Sequence, residues 1–194
     1  MSKPTERADL VARQGHGARY DAAEAPHDLL RSARHGTSYF SRILNSLEDE
    51  ALALPSQLKQ YSRAEIVAFV SYSARAAAYG LEGISNHEGI PASFEDLASA
   101  ADLPTRALRA LYRHSSIHLD VTWRDLPGTA WKANSGPVTQ SGTSAVYTVQ
   151  QRVEVIWSAS LALGHGTKLS NVPENATATV GLEVLSHHLT IACG

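Results

Sequence analysis

The chain has little of what is typical of secreted or membrane-spanning proteins. It contains one cysteine, Cys193, which excludes an internal disulfide and a cysteine-rich metal site. No apolar run approaches the roughly 20 residues that a membrane-spanning helix needs. The first residues also lack the apolar stretch of a signal peptide. These absences predict a cytoplasmic protein that does not bind membranes.

A large excess of charge of either sign is also missing. Lys and Arg together number 17 against 19 Asp and Glu, which gives a formal net charge of −2. This balance offers no electrostatic reason to bind nucleic acid or an anionic membrane surface. A chain of 194 residues is a little longer than a typical domain of about 150 residues. It can bury about two-thirds of the surface that its unfolded form exposes, so we expect one domain with a sizeable core.

Apolar residues at helical spacing begin after a charged segment that shows no period. Residues 1–27 are predicted to form an extended N-terminal arm, and residues 28–194 the folded domain. The clearest helix start is the capping box formed by Ser62 and Glu65. Helices are predicted over the segments 28–46, 62–84, 93–101, 104–126 and 174–189. Short connections between such helices are typical of a four-helix bundle.

Two segments interrupt this helical pattern. Residues 127–143 are rich in Gly, Ser, Thr and Pro, and this composition predicts a loop or a small hairpin. In the run 146–163, the alternation at Val153 and Val155 favours a strand, whereas the length of the run favours a helix. Periodicity alone leaves both alternatives open for this run.

Four stretches of the chain, taken in order, resemble the N-terminal domain of the mycothiol-dependent maleylpyruvate isomerase family, a family of DinB-like metal-binding bundles. They read ARHGTSYFSRILNSLEDEAL, QYSRAEIVAFVSYSARA, LRALYRHSSIHLDVTWRDLPGTAW and QRVEVIWSASLALG. The resemblance as a whole covers about residues 18–173. The resemblance implies a mainly all-α, up-and-down DinB-like four-helix bundle around a central pocket. It also implies that the ambiguous run 146–163 is a helix.

The chain departs from the family at the positions that hold the metal. Members carry a His in the second helix and a Glu-x-x-x-His pair in the fourth, and these side chains bind a divalent metal. The corresponding residues here are Phe69, Val153 and Trp157, so all three ligands are replaced. A register shifted by one places Glu154 on the carboxylate position but Ser158 on the histidine position. We therefore expect a protein that uses neither this metal nor any other cofactor.

The replaced positions admit two interpretations. Phe69, Val153 and Trp157 either fill the former metal site as ordinary core residues or line an enlarged apolar pocket for an uncharged substrate. Tyr72 and Ser73 follow Phe69 within about one helical turn. Their hydroxyls either orient a polar substrate atom or make ordinary hydrogen bonds between helices.

Histidines supply the candidate acid or base. His118 lies on an apolar stripe of its predicted helix, which favours an imidazole that points into the pocket. A reference pKa of about 6.5 suits proton transfer near neutral pH. His114 lies one turn earlier on the same face. The alternative is that His118 is a hydrogen-bonded structural histidine and His114 a half-exposed one. The sequence assigns no role to His187 and His188.

The preferred function is a metal- and cofactor-independent isomerase or lyase that acts on a small, mostly apolar molecule, for example in the rearrangement of a terpenoid-like epoxide. The candidate residues are the catalytic His118, Tyr72 and Ser73, and the substrate-binding Phe69, Val153, Trp157 and His114. One rival is a non-catalytic, metal-free bundle that binds an apolar ligand or a partner, such as a second copy in a homodimer. A second rival is a thiol-dependent isomerase or transferase with a displaced site.

Overall fold

The computed structural model describes residues 20–83, 94–132 and 144–193. Within these ranges the chain is mainly helical and forms no strand, which confirms the all-α class. The α-helices are α1 (His27–Ser46), α2 (Arg63–Glu82), α3 (Phe94–Ala101), α4 (Thr105–Asp125), α5 (Gly128–Lys132), α6 (Ala145–Ala162) and α7 (Leu182–Cys193). Short 3-10 helices span Glu50–Ala53, Leu169–Asn171 and Glu174–Thr179. No helix in the described ranges is long and apolar enough to cross a membrane.

Helices α1, α2, α4 and α6 form the four-helix bundle. Helix α2 packs extensively on α4, and α1 packs extensively on α6. Contacts between α2 and α6, and sparser contacts between α1 and α4, close the ring. Helix α3 packs on α2, and α7 packs on α6. This arrangement confirms the up-and-down DinB-like bundle and places α7 beside α6.

The start of α2 follows the sequence signal closely. The Ser62 hydroxyl accepts a hydrogen bond from the Glu65 backbone N–H at 3.1 Å, and the Glu65 carboxylate accepts one from the Ser62 N–H at 2.7 Å. This capping box satisfies two backbone donors that the helix itself leaves free. Helix α2 ends at Glu82, and the next residue, Gly83, has a φ of 72°, in the left-handed region that favours glycine.

Helix α6 occupies the ambiguous run. Ser144 caps its start by accepting a hydrogen bond from the Tyr147 backbone N–H at 3.3 Å. Most of its residues are buried, because α1, α2 and α7 all pack on it. A helix that is covered on nearly all sides carries apolar residues all round. The β-branched residues here reflect that burial and do not indicate a strand.

Helices α1 and α6 approach closely at Gly36. A Cβ atom at this position would lie 2.6 Å from Cγ2 of Ile156 and 2.8 Å from Nε1 of Trp157. Side-chain atoms do not approach so closely in a packed core. Glycine therefore makes room for the Trp157 indole against α1.

Three sequence predictions need correction or lie outside the described residues. The predicted loop or hairpin over 127–143 contains the short helix α5 at its start, while 133–143 lie outside the described part of the chain. The predicted final helix is interrupted, since a 3-10 helix precedes α7. Of the predicted arm, residues 1–19 are outside the described ranges, and α1 begins at His27. The two-part domain division stays a prediction.

Candidate functional site

A cleft of about 900 Å³ lies between α2, α6 and α7. Helix α2 contributes Phe69, Tyr72 and Ser73 to its wall, and α3 adds Leu97. The remaining described lining residues come from α2, from α6 and from the C-terminal part of the chain: Ala76, Ala77, Tyr147, Thr148, Gln151, Glu154, Thr179, Glu183, Val184, His187, His188, Ile191 and Ala192. More of the wall is apolar than polar, which is typical of sites for small organic molecules.

The cleft contains an imidazole–carboxylate pair. Nε2 of His188 on α7 lies 3.0 Å from Oε2 of Glu154 on α6. The His188 side chain is only 12% exposed, whereas that of Glu154 is 29% exposed and faces the cleft. Leu185 and Leu189, which are fully buried, hold α7 against the bundle on either side of His188. Such a pair can release one proton and accept another within one site.

Where its lining is described, the charge on the rest of the cleft wall is negative. Glu183 is a second carboxylate in the wall, and no Lys or Arg is among the described lining residues. The Ser73 hydroxyl donates to the Val70 carbonyl at 3.1 Å and so is bonded within its own helix. The Tyr72 ring lies at the cleft, with the Arg75 guanidinium 5.8 Å from its centroid. This charge distribution favours neutral or cationic ligands over anionic ones.

Three of the predicted site residues line this cleft, and two of the predicted substrate-binding residues do not. Phe69, Tyr72 and Ser73 line it, whereas Val153 and Trp157 are buried elsewhere. The face of α6 that lines the cleft includes Glu154. Because Val153 precedes Glu154 by one residue, it is rotated from that face by about 100° around the helix.

Trp157 points toward α1 instead. Its indole N–H donates to the Ser32 carbonyl at 3.3 Å, and its ring centroid lies 5.2 Å from that of Tyr39 and 5.4 Å from that of His35. The side chain is fully buried. The expectation that Trp157 lines the pocket is therefore corrected, because the indole is a packing element between α1 and α6.

The two histidines predicted on α4 also lie away from the cleft. Nε2 of His118 is 2.7 Å from Oε1 of Glu82, at the end of α2, and the Thr122 hydroxyl donates to the same oxygen at 3.0 Å. The His118 ring lies edge-on to Tyr79. His114 is exposed. The expected inward orientation of His118 is therefore corrected in favour of its structural alternative, a hydrogen-bonded histidine between two helices.

The residues present do not fit the divalent metal that the family resemblance implies. Phe69, Val153 and Trp157 offer no side-chain group that binds such an ion. In the described ranges, no group of three or more His, Cys, Asp or Glu residues could hold a metal ion. Ser158, the histidine position of the shifted register, is fully buried and accepts a hydrogen bond from the Gly181 N–H at 3.0 Å. Its hydroxyl therefore helps to attach the start of α7.

The sequence did not reveal His188 and weighed Glu154 only in the shifted register. One signal was available for α7, since Leu182, Leu185 and Leu189 recur at helical spacing. Those leucines predict a helix that docks on the bundle, and His188 lies next to the last of them. Which bundle helix His188 faces depends on the tertiary packing of α7, and no local sequence pattern predicts that packing.

Comparisons with known proteins agree with this architecture. The profile described as the mycothiol maleylpyruvate isomerase N-terminal domain matches residues 33–157. The chain is also similar to the crystal structures of the mycothiol-dependent maleylpyruvate isomerase and of a histidine-to-alanine mutant of it, with TM-scores of 0.65 and 0.66. Each is 29% identical over 79% of this chain and 66% of the other, so the chain spans about two-thirds of their length. No curated protein gives a significant match.

The profile match carries the family assignment. It extends from α1 into α6 and covers well over half of the 194 residues. The same helices build the bundle in which the cleft lies. By this evidence the chain belongs to the mycothiol maleylpyruvate isomerase N-terminal domain family.

Proposed function

We propose that this domain is a metal- and cofactor-independent isomerase or lyase that acts on a small, mostly apolar molecule in the cleft. The observation that carries the proposal is the contact between His188 and Glu154, 3.0 Å apart, in a largely apolar wall. Family membership favours isomerase chemistry. The pair takes the acid and base roles that the sequence alone had suggested for His118.

Rearrangement of a terpenoid-like epoxide shows how the pair can work. Protonated His188 donates its proton to the epoxide oxygen as one C–O bond breaks, and positive charge develops on carbon. The Glu154 carboxylate removes a proton from the neighbouring carbon, and a C=C bond forms, which gives an allylic alcohol. Transfer of that proton from Glu154 to His188 restores the starting state. The product is an isomer of the substrate, and no oxidant or reductant is consumed.

The cleft walls suit a reaction of this type. The rings of Phe69 and Tyr72 line the site, and aromatic faces attract a developing cation. Largely apolar walls also strengthen the electrostatic interactions of the pair. A volume of about 900 Å³ accommodates a small terpenoid.

The charges in the cleft disfavour the reaction of the family's namesake. Maleylpyruvate is a dianion, and here it would face Glu154 and Glu183 with no described Lys or Arg in the wall. Like charges at short range repel strongly where the dielectric constant is low. A neutral substrate avoids this repulsion.

A non-catalytic binding role is the second candidate, and the rim of the cleft favours it. Tyr147 and Ile191 both line the cleft, and both are largely exposed. Exposed apolar side chains around a concave site are typical of surfaces that capture apolar ligands. In this alternative the chain binds such a molecule without changing it.

A turnover assay separates the candidates. The purified chain is incubated with a panel of terpenoid epoxides, including limonene epoxide, in EDTA and without added thiol, and products are identified by gas chromatography with mass spectrometry. We expect isomeric alcohols, and Glu154→Gln should lower the rate by about 100- to 10,000-fold. Glu183→Gln is the matched control, because it removes the same charge from the same cleft without touching the pair, and its rate should stay close to that of the wild type.

Four other outcomes would contradict the proposal. Binding of the epoxides without turnover would favour the binding role. Turnover that requires added mycothiol would favour the thiol-dependent alternative. Turnover that EDTA abolishes would show that a metal acts after all. Equal losses in Glu154→Gln and Glu183→Gln would remove the special role of the pair.

A further inference from the structure

A second cavity lies between α1 and α4, where the contacts between the bundle helices are sparse. Its volume is about 400 Å³, and α6 contributes one residue to its wall. Among the described residues, four guanidinium groups and one carboxylate line it: Arg34, Arg113, Arg124, Arg152 and Asp120. The charge of this cavity is therefore opposite in sign to that of the cleft.

Arg152 is the most unusual member of this group. It is 4% exposed, and its guanidinium donates to the Val70 carbonyl at 2.9 Å and to the Ser116 hydroxyl at 3.0 Å. No carboxylate of the described residues forms an ion pair with it. Burial lowers the pKa of Arg152, because desolvation disfavours the charged form. A buried charge without an ionic partner is costly, and arginine stays protonated near neutral pH.

The other arginines leave this charge uncompensated. The carboxylates of Asp21 and Asp120 bind Arg34, with nitrogen–oxygen distances of 2.6 Å and 2.6 Å, so they are already committed. Nε of Arg124 is buried and has no hydrogen-bond partner among the described residues. Among the described residues, the cavity thus holds the guanidinium group of Arg152 without a paired carboxylate and that of Arg124 with an unused Nε donor.

We propose that this cavity binds a small oxyanion, a carboxylate or a phosphate group, through Arg152 and Arg124. Guanidinium groups bind both kinds of oxyanion with paired hydrogen bonds. An anion there supplies the negative charge that no carboxylate in the described part of the chain gives to the buried Arg152.

The anion site is separate from the cleft of the proposed function. Between them is a void of about 10 Å³, which Ser73 and Gln151 line from the cleft side and Arg152 from the cavity side. A space of this size holds about one water molecule and admits no larger ligand. Anion binding therefore stands or fails independently of the reaction in the cleft.

Calorimetric titration of the whole chain tests the site with two probes, inorganic phosphate and succinate, at constant ionic strength. We expect saturable binding with one site per chain, and the tighter probe identifies the preferred anion. Arg152→Met should raise Kd by about tenfold or more, since a hydrogen bond to a charged group is worth at least that factor. Arg124→Gln removes a cavity charge without breaking the bonds of Arg152 to α2 and α4, so it tests the site if Arg152→Met fails to fold.

The matched control is Arg31→Gln on the outer surface of α1. Arg31 is well exposed and pairs with Asp28, so this variant removes the same charge outside the cavity. Its Kd for the preferred anion should equal that of the wild type. Failure of the folded wild type to bind either anion would overturn the proposal. So would unchanged binding in Arg152→Met and Arg124→Gln, or a loss in Arg31→Gln as large as theirs.

Discussion

Replacing Trp157 by Phe tests whether the indole stabilises the core or contributes to ligand binding in the cleft. The indole is fully buried between α1 and α6 and donates a hydrogen bond to the Ser32 carbonyl. Its loss removes that bond, worth about 1 kcal/mol, and opens a small cavity against Gly36. With the usual penalty for cavity volume, Trp157→Phe should lower the free energy of unfolding by about 1–3 kcal/mol. Complete truncation to Ala would cost about 3–5 kcal/mol, a large share of the 5–15 kcal/mol that holds a typical domain folded.

Urea denaturation followed by circular dichroism measures this change in the free energy of unfolding. The m-value should be the same for the wild type and Trp157→Phe if each unfolds in one step. The partner experiment is Phe69→Leu, because Phe69 lines the cleft. Trp157→Phe should leave Kd for limonene epoxide within about twofold, whereas Phe69→Leu should weaken it by about fivefold through lost apolar contact. If Trp157→Phe weakened ligand binding and left stability unchanged, our assignment of the indole to the α1–α6 contact would be refuted.

Three further predictions follow from single contacts. Gly36→Ala should lower the free energy of unfolding by about 1–3 kcal/mol in urea denaturation, because its Cβ would collide with α6, and unchanged stability would contradict the close approach. Hydrogen bonding from Arg34 holds the pKa of Asp21 below 3.8, so the pair stabilises fully above that pH and its contribution is lost as the pH falls through the lowered pKa. Denaturation at a series of acid pH values should show this loss, and Asp21→Asn should abolish it. His118→Ala should lower Tm by a few degrees through loss of the bond to Glu82, worth about 1 kcal/mol, without changing turnover by the folded protein, and a 100-fold rate loss would restore His118 to the mechanism.

Local sequence signals predicted the helices well where the determinants are local. The capping box of Ser62 and Glu65 depends only on residues three apart, and the structure contains both of its hydrogen bonds. The run that forms α6 was harder to predict, because other helices pack on several of its sides. Apolar residues such as Val153 and Val155 therefore occur all round the helix. Periodicity cannot distinguish that situation from a buried strand, and the family resemblance decided it correctly.

Part of the cleft wall could be predicted from the sequence. The resemblance selected Phe69 on α2, and helical spacing from it selected Tyr72 and Ser73. All three line the cleft. On α6 the aligned register selected Val153 and Trp157, but the face toward the cleft carries Glu154. Adjacent side chains on a helix point about 100° apart, so a register that differs by one residue is enough to select a different face of α6.

Histidine placement depended on contacts that are distant in the sequence. The apolar stripe on its helix predicted that His118 points into the pocket. In the structure its imidazole instead contacts Glu82 on α2. His188 carried no usable signal, because its partner Glu154 lies 34 positions earlier on another helix. Only the packing of α7 against α6 brings these two residues together.

A double-mutant cycle on the Glu154–His188 pair tests the central claim most directly. The values of kcat/KM for epoxide isomerisation are measured, without metal or thiol, for the wild type, Glu154→Gln, His188→Asn and the double variant. If the two residues act as one proton-transfer unit, each single change should cost about 100- to 10,000-fold and the double change little more than the larger single loss. Independent losses that multiply in the double variant, or near-normal kcat/KM in either single variant, would contradict the account.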